Sequence, residues 1–217
     1  MHAPVRAGAL LILLWVCLLG LVPWGVAAGT DVAAQLQRLR EGNQRERHEA
    51  LQWLAEAGDA SAIDALVTVL QTSDTQSRAP AERALWAIWS RSGNAQADAL
   101  LKTGSELLSR GEFAKSIELF DQVVLLEPTF AEGYNKRATA WYYLGEYESS
   151  LDDIRTTLHH NPIHFGALSG AALCLVALER YPEALFFVER ALAVNPNMPV
   201  MVDLARRLRQ AINRDAL

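Results

Sequence analysis

Three of the five histidines, His159, His160 and His164, gather across the Asn161-Pro162 turn. Two or three imidazoles could share a metal ion, but no carboxylate or thiol lies in the adjoining turn to complete a ligand set. They read as polar linker residues, and a metal-binding or catalytic protein built on them is the alternative class. His48-Glu49 begins like the zinc-protease helix, yet Gln52 stands where the second imidazole belongs. Asp152 and Asp153 are adjacent on an amphipathic stretch, so they cannot face one substrate together, and a solvated face explains them. Cys174 lies in the apolar run Ala171, Ala172, Leu173, Leu175, Val176, the setting of a small buried residue rather than a reactive thiol. Arg206, Arg207 and Arg209 form a small basic patch on a face turned to water. No phosphate-cradling glycine loop, nucleophile elbow or dinucleotide fingerprint is present. These residues point to no enzyme, no metal and no cofactor.

The elements that must position such residues are helical. The chain has 217 residues, 51% of them apolar and 21% charged, which is ordinary globular composition. Its formal net charge of −5 and pI near 5.6 supply no basic field to recruit nucleic acid or an anionic membrane. Residues 1–28 read as an export signal. His2 and Arg6 precede an apolar run of about 13 residues, Leu10 to Val22; Pro23 breaks it, and Val26-Ala27-Ala28 offers the small residues a signal peptidase needs. The run is shorter than the roughly 20 residues that cross a bilayer. In a bacterial setting the destination is the periplasm; an uncleaved inner-membrane anchor is the alternative. Loss of the segment takes Cys17 with it, leaves Cys174 alone, and moves the formal charge from −5 to −6, since Arg6 is the one charged residue lost.

From Thr30 to Gly93 the spacing predicts a first set of helices. Thr30 or Asp31 caps one that ends at Gly42, and Asn43 caps another from Gln44 to Ala57, stopped by Gly58. Asp59 or Ser61 starts a third with Ile63, Leu66, Val67 and Leu70 on one face. A fourth runs from about Thr75 to Arg91, with Pro80 in its first or second turn, where a lost N–H matters least. Arg47-His48-Glu49-Ala50-Leu51-Gln52-Trp53-Leu54 followed by Gly58-Asp59-Ala60-Ser61-Ala62-Ile63-Asp64-Ala65-Leu66 resembles the short HEAT-like repeat of phycobilisome-lyase-type proteins. Trp86 and Trp89 replace small residues of that pattern, which suits a cover over the junction with the repeats beyond Gly93. A divergent helix pair of the later kind is the alternative for residues 30–93.

Residues 94–196 carry a period of 34, marked by Pro128, Pro162 and Pro196. Gly104, Ala138 and Ala172 keep the same step, as do Phe113, Tyr147 and Tyr181, then Ser116, Ser150 and Ala184, then Phe120, Ile154 and Val188. The small column lets two helices of a pair approach closely, and the prolines end each second helix. Three units result, 97–130, 131–164 and 165–198; Gly111 and Gly145 turn the first two, and Glu179 replaces the glycine in the third. Residues 197–217 read as a capping helix, with Met201, Leu204, Leu208 and Ile212 inward. These three tandem matches resemble the tetratricopeptide (TPR) family. The fold expected is all-α: an α-solenoid of stacked antiparallel helix pairs, HEAT-like pairs first, then three TPR units and the cap.

The resemblance implies a site. In TPR arrays the first helix of each pair lines a concave groove, and by column that groove is lined by Leu101, Ser105 and Leu108 of the first unit. The second unit gives Asn135, Thr139 and Tyr142, and the third Ser169, Leu173 and Val176. TPR domains that hold chaperone C-termini carry a basic clamp, whose columns here are Leu101, Ser105, Lys136, Gly166 and Gly170. Only Lys136 is basic, so the clamp is missing. A mostly apolar wall with a few hydroxyls suits an extended segment or helix of a protein partner. The resemblance implies a non-enzymatic scaffold or adaptor, and the export segment suggests the cell envelope as its place of work; a homo-oligomer stacked through the solenoid ends is a further alternative. The same apolar wall would also suit packing against the chain's own cap or N-terminal half.

Overall fold

A computed structural model describes residues 24–72 and 74–215. The apolar run of the expected export segment lies outside the described residues. Among the described residues there are eleven α-helices and no strand, and no helix is long and apolar enough to cross a membrane.

Four helices form the N-terminal part: α1 (Trp24–Glu41), α2 (Gln44–Ala57), α3 (Ile63–Gln71) and α4 (Thr75–Trp89). The first begins earlier than the Thr30 or Asp31 cap suggested: the helix runs on through Gly25 and Gly29, with no proline after Pro23 to stop it. The other starts follow side-chain caps. Asn43 Oδ1 accepts from Glu46 N at 3.1 Å while Glu46 Oε2 accepts from Asn43 N at 2.7 Å, a reciprocal box that satisfies two orphan donors. Asp59 and Asp74 cap the next two turns. Leu51, Leu54, Leu66, Leu70 and Leu85 bury completely against one another. Arg91, just past α4, donates to the carbonyls of Ala55 (2.9 Å), Glu56 (3.3 Å) and Gly58 (2.6 Å), closing the end of α2.

Three hairpins come next: α5 (Ala95–Ser109) with α6 (Phe113–Leu126), α7 (Ala131–Leu144) with α8 (Tyr147–His160), and α9 (Phe165–Ala177) with α10 (Tyr181–Val194). Their periodic columns have the physical roles the spacing implies. A Cβ on Gly104 would fall 2.6 Å from the Phe120 ring, so the first pair closes only over glycine. Ala138 and Ala172 are buried at the same position. Glu127, Asn161 and Asn195, each before a column proline, are pushed out of helical space (φ −131°, −140°, −125°), which ends each second helix. Gly111, Gly145 and Glu179 all turn with positive φ, at 79°, 82° and 58°; the glutamate adopts there a conformation that strains a residue with a Cβ. Finally α11 (Pro199–Asp215) lies on α10, burying Met201, Ala205 and Leu208 while Arg206, Arg207 and Arg209 stay exposed.

Two polar readings are corrected. Asp153 is not on a solvated face: it is buried and takes a two-pronged bond from Arg137, at 2.8 Å from Nε and 2.7 Å from Nη2. Asp121 accepts from the third prong at 2.7 Å, so one guanidinium ties α6, α7 and α8. His164 does lie in the linker before α9, but it is fully buried and not a solvated residue. It sits in the seam where the N-terminal helices meet the hairpins. Phe165 belongs to the N-terminal leucine core, with Ile163, Val194 and Met198 packed against it. Asn197 Nδ2 donates to the Leu70 carbonyl at 2.7 Å, and Gln71 to that of Ala193 at 2.8 Å. The N-terminal helices therefore fold back onto the 161–165 and 194–198 turns.

Candidate groove and its buried seam

The first helices of the second and third hairpins, α7 and α9, line a cleft of about 180 Å³ to which α8 adds Ser150 and Ile154. Five of the residues assigned to the groove line it: Asn135, Thr139, Tyr142, Ser169 and Leu173. Gly166 and Gly170 form bare backbone along the α9 wall, and Tyr143 stands exposed at the mouth. Leu101, Ser105, Leu108, Lys136 and Val176 are not among its lining. Leu101 is a buried core residue of the first hairpin, packed with Phe120 and Val123, because it faces its own partner helix. Asn135 reaches the cleft only in part; it is buried and donates to Glu132 Oε2 at 2.9 Å.

The hydroxyls of the wall are turned inward. Thr139 donates to the Asn135 carbonyl (2.9 Å) and Ser169 to that of Phe165 (2.7 Å), as Ser105, outside the cleft, does to Leu101 (2.7 Å). Each keeps acceptor lone pairs for a donor from outside. Burial of the Tyr142 phenol, next to Tyr147, pushes its pKa up, so it remains a neutral donor and acceptor. The cleft is thus an apolar slot edged with acceptors.

Beneath it lies a charged network that sequence reasoning missed. Glu132 and His164 are both fully buried, with His164 Nε2 2.9 Å from Glu132 Oε2. The Ala167 N–H donates to His164 Nδ1 at 3.1 Å, which assigns the ring proton to Nε2 and makes it the donor to Glu132. Lys136 Nζ lies 3.2 Å from Glu132 Oε1 but off the line of a hydrogen bond, so that contact is an ion pair. Burial alone would raise the Glu132 carboxyl. The His164 bond and the Lys136 charge outweigh it and hold the group below its ordinary value. Trp89 stacks on His164 at 4.7 Å, its Nε1 buried without a partner, and Trp86 meets the same imidazole edge-on at 5.3 Å. A signal for this network existed. His164 shares its 34-residue column with Phe130 and Met198, and Asp153 shares one with Leu119 and Phe187, so both occupy positions that are otherwise apolar.

The three clustered histidines do not converge. His159 and His160 are exposed and meet each other edge-on at 5.0 Å, while His164 points into the seam. Among the described residues no group of three potential ligands is placed to hold a metal ion. Cys174 is buried, donates to Ser150 Oγ at 3.3 Å, and has its thiol pKa pushed up by burial. A larger concavity of about 710 Å³ lies between α1, α3 and the start of α4, with Leu36, Leu39 and Val69 on its walls and Arg47 and Asp74 at its edge. No motif announced it.

No family model matches the chain. It is 34% identical over 87 residues to a TPR repeat-containing protein of Rhizobium etli, covering 40% of this chain and 43% of the relative. It is 33% identical over 85 residues to tetratricopeptide repeat protein 4 of Bos taurus, covering 38% and 22%. The chain thus spans less than half the length of these curated relatives. Among solved structures, the Sgt2 TPR domain from Aspergillus fumigatus superposes with a TM-score of 0.54 at 21% identity, over 57% of this chain and 83% of that one. The first TPR domain of Spaghetti, bound to an HSP90 peptide, gives 0.53 at 22% identity, over 54% and 94%. The matched relatives are named for the tetratricopeptide repeat, and the structural neighbours show that the fold is an all-helical, TPR-like solenoid.

Proposed function

We propose that the chain is a non-enzymatic adaptor that holds a segment of a protein partner in the cleft between α7 and α9. The observation that carries this is the meeting of Tyr142, Thr139, Ser169 and Leu173 around one slot of about 180 Å³. Apolar walls give such a segment area to bury, and hydroxyl lone pairs meet its N–H groups. Structural neighbours offer precedent: the Spaghetti TPR domain binds an HSP90 peptide, and a TPR domain of yeast Sti1 is seen with an Hsp70 one. The acidic-tail mode is disfavoured here, because Lys136 is the one basic side chain in the clamp columns and is already paired with Glu132. The export features of residues 1–28 favour work in the bacterial envelope, in assembly or maturation of another protein.

A photocrosslinker at Thr139 tests the reading. Partner adducts form from that position and vanish in Tyr142→Ala/Leu173→Glu, whose helical circular dichroism matches the parent. Adducts that persist in the folded double variant reject the cleft. Fractionation with N-terminal sequencing tests export; an intact N-terminus in the cytoplasm rejects that part.

A further inference from the structure

Gly166 stands at a boundary. It lines the cleft, and a Cβ built on it would fall 2.4 Å from Cη2 of Trp86 and 3.1 Å from Cζ2. The indole therefore rests against bare α9 backbone at the end of the groove. The Lys136 ammonium, from α7, lies 5.8 Å from the indole ring centroid, and His164 and Phe165 each meet it edge-on at 5.3 Å. Four of its neighbours thus come from the hairpins, although Trp86 belongs to α4. A glycine floor, aromatic walls and a nearby cation are the features that receive an aromatic side chain.

We propose, on the reading of the cleft as the partner site, that this end of the groove is an aromatic-binding subsite which Trp86 fills in cis. Seating of α4 and entry of a partner's aromatic residue at Gly166 then exclude one another. A partner segment lying in the cleft ends or turns away at Gly166 while the indole is seated, and it extends past that point only by supplying a ring of its own.

The test uses the full chain and needs no partner, so it fails independently of the proposed function. Trp86→Ala lowers Tm by about 10 °C, as loss of a large aromatic from a packed site does. Free indole and N-acetyl-tryptophanamide are then titrated into this variant and the parent by calorimetry. Both bind Trp86→Ala with a stoichiometry of one, and at a hundred times Kd each restores about 5–10 °C of Tm. Neither binds the parent at the site, and adding Gly166→Val to Trp86→Ala abolishes binding by filling the floor. Absence of saturable binding to folded Trp86→Ala overturns the proposal, as does equal binding to the parent. Binding of indole with refusal of the amide also overturns it, since that marks a sealed core hole with no path from the cleft. Should Trp86→Ala fail to fold, Gly166→Val alone decides: faster amide exchange in α4 with α5 to α8 protected supports the subsite, and unchanged exchange in α4 rejects it.

Discussion

The N-terminal helices and the three hairpins solve the same problem with different residues. In the hairpins, close approach comes from two columns of small side chains, Gly104, Ala138 and Ala172, then Ser116, Ser150 and Ala184, and the turns are left-handed at Gly111, Gly145 and Glu179. In α1–α4 the core is made of leucines, and the helix starts are fixed by side-chain caps at Asn43, Asp59 and Asp74. Each region also uses one arginine as a tie, in opposite chemistry. Arg137 bonds carboxylates on α6 and α8, whereas Arg91 bonds backbone carbonyls at the end of α2. The comparison teaches that repetition sets close approach by side-chain size and adds polar ties such as Arg137 on top, while α1–α4 rely on leucines and individually placed caps. The seam between them is where both strategies stop and a buried charge takes over.

Breaking the seam has the largest expected effect. Glu132→Ala leaves Lys136 and the His164 N–H without their acceptor and costs about 3–5 kcal/mol, read from urea denaturation. The same group sets the acid limb. Its folded pKa is below the ordinary value near 4.5, so its contribution is present above that value and is lost as pH falls through the lowered one. Parent stability therefore drops below about pH 4.5 more steeply than that of Glu132→Gln. Equal slopes would show the carboxylate is not charged in the folded chain.

Next come the two ties. Arg137→Ala strands the buried Asp153 and costs about 2 kcal/mol, discounted for the exposed Asp121 arm, with the loss shrinking in high salt. Arg91→Ala costs about 1 kcal/mol and is less salt-sensitive, because its acceptors are neutral carbonyls. Matching salt dependence for the two would erase the contrast drawn between the regions. The smallest effect is a gain. Glu179→Gly relieves the positive φ and stabilises by about 0.5 kcal/mol, measured as a shift in midpoint.

Much of this was legible in the sequence. Pro128, Pro162 and Pro196 mark where the second helices end, and Asn43 with Glu46 fixes the start of α2 to the residue. Along the cleft, Thr139, Tyr142, Ser169 and Leu173 follow from column position. Leu101 did not, because a helix column says which face a residue shares and not whether its own partner helix covers that face. The seam was hidden for a different reason. It joins residues 70–89 to residues 161–197, and contacts that far apart leave no periodic trace. Only the misfit of Trp86 and Trp89 to their repeat, and of His164 to an apolar column, hinted at it.

The placement of α11 has a consequence for assembly. It spends its apolar stripe on α10 and turns outward a face where Asp203 pairs with Arg206 and Arg207, while Arg209 reaches back to Glu189 at 2.7 Å. Another molecule's hairpin arriving there would meet paired charges beside the exposed Val200 and Val202. A copy packing end-on there would have to strip water from those ion pairs as well as cover the two valines.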